Sequence, residues 1–75
     1  MTSSVTITCN GERLALPATD PALTVADLLA LRRGDPRPHG VAVAVDDEVV
    51  PRADWSRHRL ADGAVVEIVT AVQGG

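Results

Sequence analysis

The chain has 75 residues, 45% of them apolar and 23% charged, with a net charge of −3 and a single aromatic residue, Trp55. A domain this small buries only about 60% of the surface its unfolded chain exposes, which leaves space for one sheet against one helix and disfavours an enzyme with an enclosed pocket. The acid excess and the lone aromatic argue against a binder of nucleic-acid backbones, which needs a basic stripe and stacking rings.

The first predicted element is "SVTITC", which alternates strictly, with Val5, Ile7 and Cys9 on one face and Ser4, Thr6 and Thr8 on the other. That is the pattern of a half-buried strand. Asn10-Gly11 is a strong hairpin signal, and "ERLAL" returns as a second strand with Leu14 and Leu16 on one face. Pro17 through Pro21 reads as turn. "LTVADLLALRRG" predicts the one helix: Thr24 caps it, and Asp27 sits three residues later in the favourable dipole position. Val25, Leu28 and Leu29 form its apolar stripe, with Leu31 or the stem of Arg32 at the margin, and Gly34 suits the stop.

"DPRPHG" is a loop stiffened by two prolines, and "VAVAV" is the next strand, with Val41, Val43 and Val45 expected to face the helix and Ala42 and Ala44 the other way. Asp46-Asp47 turns the chain, "EVV" returns briefly, and Pro51 ends it. The segment "PRADWSRHRL" is irregular or a short helical turn pinned by Trp55 and Leu60. "AVVEIVTAV" is predicted as the longest strand, and Glu67, its one charge, sets the parity: Val66 and Ile68 inward, Val65 and Val69 outward.

The order β-β-α-β-β-β places one helix on one face of a mixed sheet. The final strand, apolar on both faces, belongs in the sheet interior, beside the first strand and parallel to it. The expected fold class is therefore α+β, a ubiquitin-like β-grasp, with the domain over 1–72 and a flexible tail over 73–75. A strand fixed in the middle of a sheet gives such a tail a defined origin. Gly74 and Gly75 lack Cβ atoms, so with Gln73 they can thread a narrow partner channel. The α-carboxylate of Gly75, with no side chain beside its carbonyl carbon, is then an acyl group open to activation by a second protein.

Three segments carry a family resemblance: "TVADLL", "GVAVAVDDEVVPRADW" and "LADGAVVEIVTAVQGG". Together they resemble the ubiquitin-like sulfur carriers, and within them the ThiS family of thiamine biosynthesis. Asp46-Asp47 stands where an Asn-Gly-like turn is more usual. The resemblance implies a cycle. An E1-like adenylating enzyme spends ATP to adenylate Gly75, a sulfur-donor persulfide protein displaces AMP, and the resulting thiocarboxylate delivers sulfur to a thiazole synthase. The carrier itself would be no enzyme and hold no cofactor.

Other residues read more plainly. Cys9 lies in register with Val5 and Ile7 and reads as core. One cysteine allows no intrachain disulfide, and His39 and His58 make no metal spacing with it. Asp46, Asp47 and Glu48 read as a solvated tip; Arg52, Arg57 and Arg59 read as surface; Trp55 is expected to seal the sheet edge. The chain has no lysine, so it offers no ε-amine for conjugation. Its start has no signal-peptide pattern and no stretch is long enough to cross a bilayer, which suggests a soluble, cytoplasmic protein, monomeric when free. Ala42, Ala44, Val65 and Val69 on the outer sheet face are the candidate docking surface, unless the N-terminal or 51–60 segment covers them. Three rival readings share the tail or the fold: the small subunit of molybdopterin synthase, a protein modifier forming isopeptide bonds, and a β-grasp interaction module without acyl chemistry.

Overall fold

The structure, a computed structural model, describes residues 4–70. Strands β1 (Ser4–Cys9) and β2 (Glu12–Pro17) form an antiparallel hairpin with Ser4 opposite Pro17 and Cys9 opposite Glu12. Asn10 and Gly11 have φ of 51° and 82°. Two successive positive φ values give the turn whose twist matches that of its strands. Pro17, expected in the loop, is instead the last residue of β2. β2 is an edge strand, where a residue without an N–H costs no ladder bond.

Helix α1 (Val25–Arg33) starts on the predicted cap. Thr24 Oγ1 accepts from the Asp27 N–H (3.2 Å), and Asp27 Oδ2 accepts from the Thr24 N–H (2.9 Å). The Val25 and Ala26 N–H groups donate to the carbonyls of His58 and Trp55, and Leu28 N–H donates to Thr24 O. Every donor of the first turn therefore has a partner, two of them in the segment that follows β4. Gly34, at φ 73°, closes the helix by donating to Ala30 O. Val25, Leu28 and Leu29 are fully buried, as the stripe predicts. Leu31 is not at its margin: it is 64% exposed, because at 100° per residue it lies on the far side of the helix from Val25 and Leu29. Arg32 is the marginal residue, and it reaches Glu12 on β2 (2.9 Å).

Strands β3 (Val41–Val45) and β4 (Glu48–Val50) form the second hairpin. Asp46 and Asp47 both adopt positive φ, 51° and 70°, so this pair makes the same kind of turn as Asn10-Gly11. The Asp46 carboxylate accepts from Val65 N–H (2.9 Å), and Asp46 N–H donates to Val65 O, which ties the turn to the start of β5 (Val65–Thr70). The described part of β5 equals β1 and β2 in length rather than exceeding them, and residues 71 and 72 of the predicted strand lie outside the described residues. The sheet order is β2-β1-β5-β3-β4, with β5 parallel to β1 and antiparallel to β3. This is the expected mixed sheet, with the last strand in its centre.

Val43, Val45, Val66 and Ile68 face α1 and are buried, as are Ile7, Cys9 and Leu16. Trp55 does more than seal an edge. It is 1% exposed and donates its indole N–H to Val50 O (2.9 Å) from a loop that opens with a 3-10 turn at Arg52–Asp54. The Arg52 guanidinium stacks 5.3 Å above the indole and donates to the carbonyls of Arg37 and Pro38 (both 2.8 Å). Arg57 pairs with Asp54, and Arg59 donates to Ala22 O. The conspicuous "PRADW" stretch thus fastens two loops to the core. Among the described residues, no helix is long and apolar enough to cross a membrane.

Candidate functional site

The region to which the sequence points follows the described part of β5. On one side β5 pairs with β3 as far as Val41 opposite Thr70. On the other, the parallel pairing with β1 runs through Thr8–Val65 and Cys9–Val66, where β1 ends. Asn10 then takes over with its side chain: Oδ1 accepts from Ile68 N–H (2.7 Å) and Nδ2 donates to Ile68 O (3.1 Å). Arg33, in the last turn of α1, donates to Thr70 Oγ1 (3.1 Å). Gln73, Gly74 and Gly75, the predicted tail and acyl site, lie outside the described residues, as does the predicted boundary at 72.

The candidate docking residues do share one face. Ala42 stands opposite Val69, Ala44 lies between Val49 and Glu67, and Val65 pairs with Thr8. Val65 is 46% and Val69 62% exposed. The 51–60 segment does not cover them, because it packs at the start of α1 on the opposite face through His58, Trp55 and Leu60. Val49, outside the expected set, is 76% exposed and extends the patch across β4. Alternation turns Val49 outward once Val50 is seen to be buried, but a three-residue strand does not by itself show which residue faces the core. Glu67 sits among these residues as the one charge between Val65 and Val69.

The remaining candidates are structural. Cys9 is 2% exposed. Burial raises its thiol pKa, with Arg32 opposing, so it stays a protonated core residue. Among the described residues no three His, Cys, Asp or Glu side chains come together as a metal site. A dimple beside Val5, Leu16, Leu23 and Leu60 has room for about one water and none for a substrate. The site is therefore an apolar face and an anchored strand end, suited to docking on another protein.

One helix gripped by a five-stranded sheet with hairpins at both edges and a parallel central pair is the β-grasp, the ubiquitin-like class. The sequence model of the ThiS family matches residues 6–75, and the chain belongs to that family. Over 52 residues it is 35% identical to the Escherichia coli (strain K12) protein named "Sulfur carrier protein ThiS", a match spanning 69% of this chain and 76% of that one. The crystal structure of the thiamine biosynthesis protein (ThiS) from Geobacter metallireducens superposes with a TM-score of 0.76 at 28% identity, covering 95% of this chain and all of that one.

Proposed function

We propose that this ThiS-family carrier holds its sulfur on the α-carboxyl of Gly75. The observation that carries the reading is the family match, which runs through residue 75 and so includes Gly74 and Gly75. A carboxylate is a poor acyl donor because its leaving group would be oxide. An E1-like enzyme overcomes this by letting the Gly75 oxygen attack the α-phosphorus of ATP, which releases pyrophosphate and forms a mixed anhydride with AMP. Sulfur from a persulfide donor protein then attacks the carbonyl carbon and expels AMP, while a thiol takes up the donor's other sulfur as a disulfide. The product is a thiocarboxylate whose charge rests largely on a soft, nucleophilic sulfur, which passes to a thiazole synthase.

In this scheme the chain is not the catalyst and holds no cofactor; ATP is consumed by the partner. Ala42, Ala44, Val65 and Val69, with Val49, dock on that partner, and Gln73 and Gly74 lie in its channel. A chain of seven arginines and no lysine suits this role, since it offers no side-chain amine to its own activated end. The cycle is placed in the cytoplasm, with a monomeric free carrier.

Intact-mass measurement of the protein from cells tests the reading. Replacement of one oxygen by sulfur, localised to Gly75 by fragmentation, is expected. A covalent protein adduct or an unmodified end under sulfur-replete growth would overturn it. Deleting Gly75 is expected to abolish adenylation by the E1-like enzyme while leaving the melting temperature nearly unchanged. A thiamine requirement on gene deletion identifies the pathway served.

A further inference from the structure

β1 pairs with only the first part of β5, ending at Cys9 opposite Val66. Its last main-chain bond to β5 runs from Asn10 N–H to Val66 O (2.9 Å), and the chain then turns away into β2. The next peptide group on that side of β5, that of Ile68, would otherwise be left to water. The Asn10 carboxamide occupies the vacated place. It carries one acceptor and one donor in the arrangement of a peptide group, and it satisfies both the N–H and the C=O of Ile68. The parallel ladder thus gains one further rung made by a side chain. From the helix side, Arg33 holds the side chain of Thr70, the last described residue of β5.

The turn does not itself require asparagine. At φ 51° glycine is at least as well suited, and aspartate tolerates that conformation too. What neither supplies is the pair of bonds: glycine has no side chain, and an ionised aspartate cannot donate to the Ile68 carbonyl.

We infer that Asn10, assisted by Arg33, is a positioning residue for the carrier's terminal acyl group, a role that rests on the Gly75 reading. By holding β5 at Ile68 and Thr70, the clamp fixes the strand that leads into the tail. A frayed strand end would add conformations that must be surrendered when a partner takes up the tail. Loss of the clamp therefore raises the KM for the carrier in adenylation and leaves kcat unchanged, because chemistry begins only once the end is seated.

The test uses the full-length protein with its E1-like enzyme, comparing wild type, Asn10→Asp, Asn10→Gly and Arg33→Ala by ATP–pyrophosphate exchange and by amide hydrogen exchange. Each protein is assayed where it is fully folded. For Asn10→Gly, KM is expected to rise about tenfold with kcat unchanged, the effect of two lost hydrogen bonds. Exchange at Ile68, whose N–H the carboxamide holds, rises in parallel while that at Leu28 and Val43 does not. Asn10→Asp keeps the bond from Ile68 N–H but sets a carboxylate oxygen against the Ile68 carbonyl, and its KM also rises above wild type. An unchanged KM in Asn10→Gly, with or without faster exchange, overturns the inference and leaves the Gly75 reading intact. If wild-type protein is not adenylated at all, the Gly75 reading fails and the inference falls with it.

Discussion

Trp55 shows how much one side chain carries in so small a core. Its ring is buried, its N–H holds Val50 O where β4 ends, and its face receives Arg52, which in turn holds the Arg37 and Pro38 carbonyls. Trp55→Ala is expected to cost about 3–5 kcal/mol, a large part of the stability of a domain this size. Trp55→Phe keeps most of the apolar contact but orphans the Val50 carbonyl, and should cost about 1–3 kcal/mol. Urea denaturation followed by circular dichroism measures both, and a Trp55→Phe variant as unstable as Trp55→Ala would show that the indole N–H matters more than the packing.

Cys9 makes a prediction of opposite character. Burial holds its folded pKa above the ordinary thiol value of 9.0. As pH rises through that ordinary value the unfolded chain loses its proton first, so the folded state binds more protons and stability falls. The stability present below the thiol range should therefore decline above it in wild type, and decline less in Cys9→Ala. Thermal melts of the two proteins on either side of that range provide the comparison.

Among the elements, α1 was the most legible. Thr24 and Asp27 at the cap spacing, an apolar stripe, and Gly34 after two arginines all appear where local chemistry requires them. Thr24→Ala should cost about 1 kcal/mol, since Thr24 is buried and no water can replace its oxygen at the Asp27 N–H. Chemical denaturation of that variant checks it, with Leu31→Lys as a control expected within about 0.5 kcal/mol of wild type. The other two first-turn donors, satisfied by His58 and Trp55, were not legible. Nothing local in "PRADWSRHRL" announces that its carbonyls will meet a helix start thirty residues earlier in the chain. The strands were read from alternation, and Glu67 sufficed to orient β5. Val49 was overlooked because a three-residue strand offers too few alternations to establish a face.

For the whole molecule, the sheet separates two tasks. One face buries the core against α1, and the other leaves Ala42, Val49, Val65 and Val69 in solvent around Glu67. Under the proposed docking, Val69→Asp is expected to weaken binding to the E1-like enzyme at least tenfold, because the added charge would have to be desolvated there, while the melting temperature stays close to wild type. Calorimetric titration against that enzyme and a thermal melt separate the two effects. Equal loss of binding and of stability would assign the patch to the fold instead.

The sequence by itself determined the elements, their order, the two turns, the cap and the inward face of every strand but β4. These follow from periods of two and 3.6 and from backbone preferences acting within a few residues. It also pointed to the family, through motifs spread along the chain. Only the tertiary structure decided how the end of β5 is held, by Asn10 at a separation of 58 residues and by Arg33 at 37. It likewise decided that Arg52 fastens a loop and that Val49 joins an open face. Such bonds are directional and join distant segments, so their partners exist only once packing has placed the elements, and no local pattern of residues encodes them.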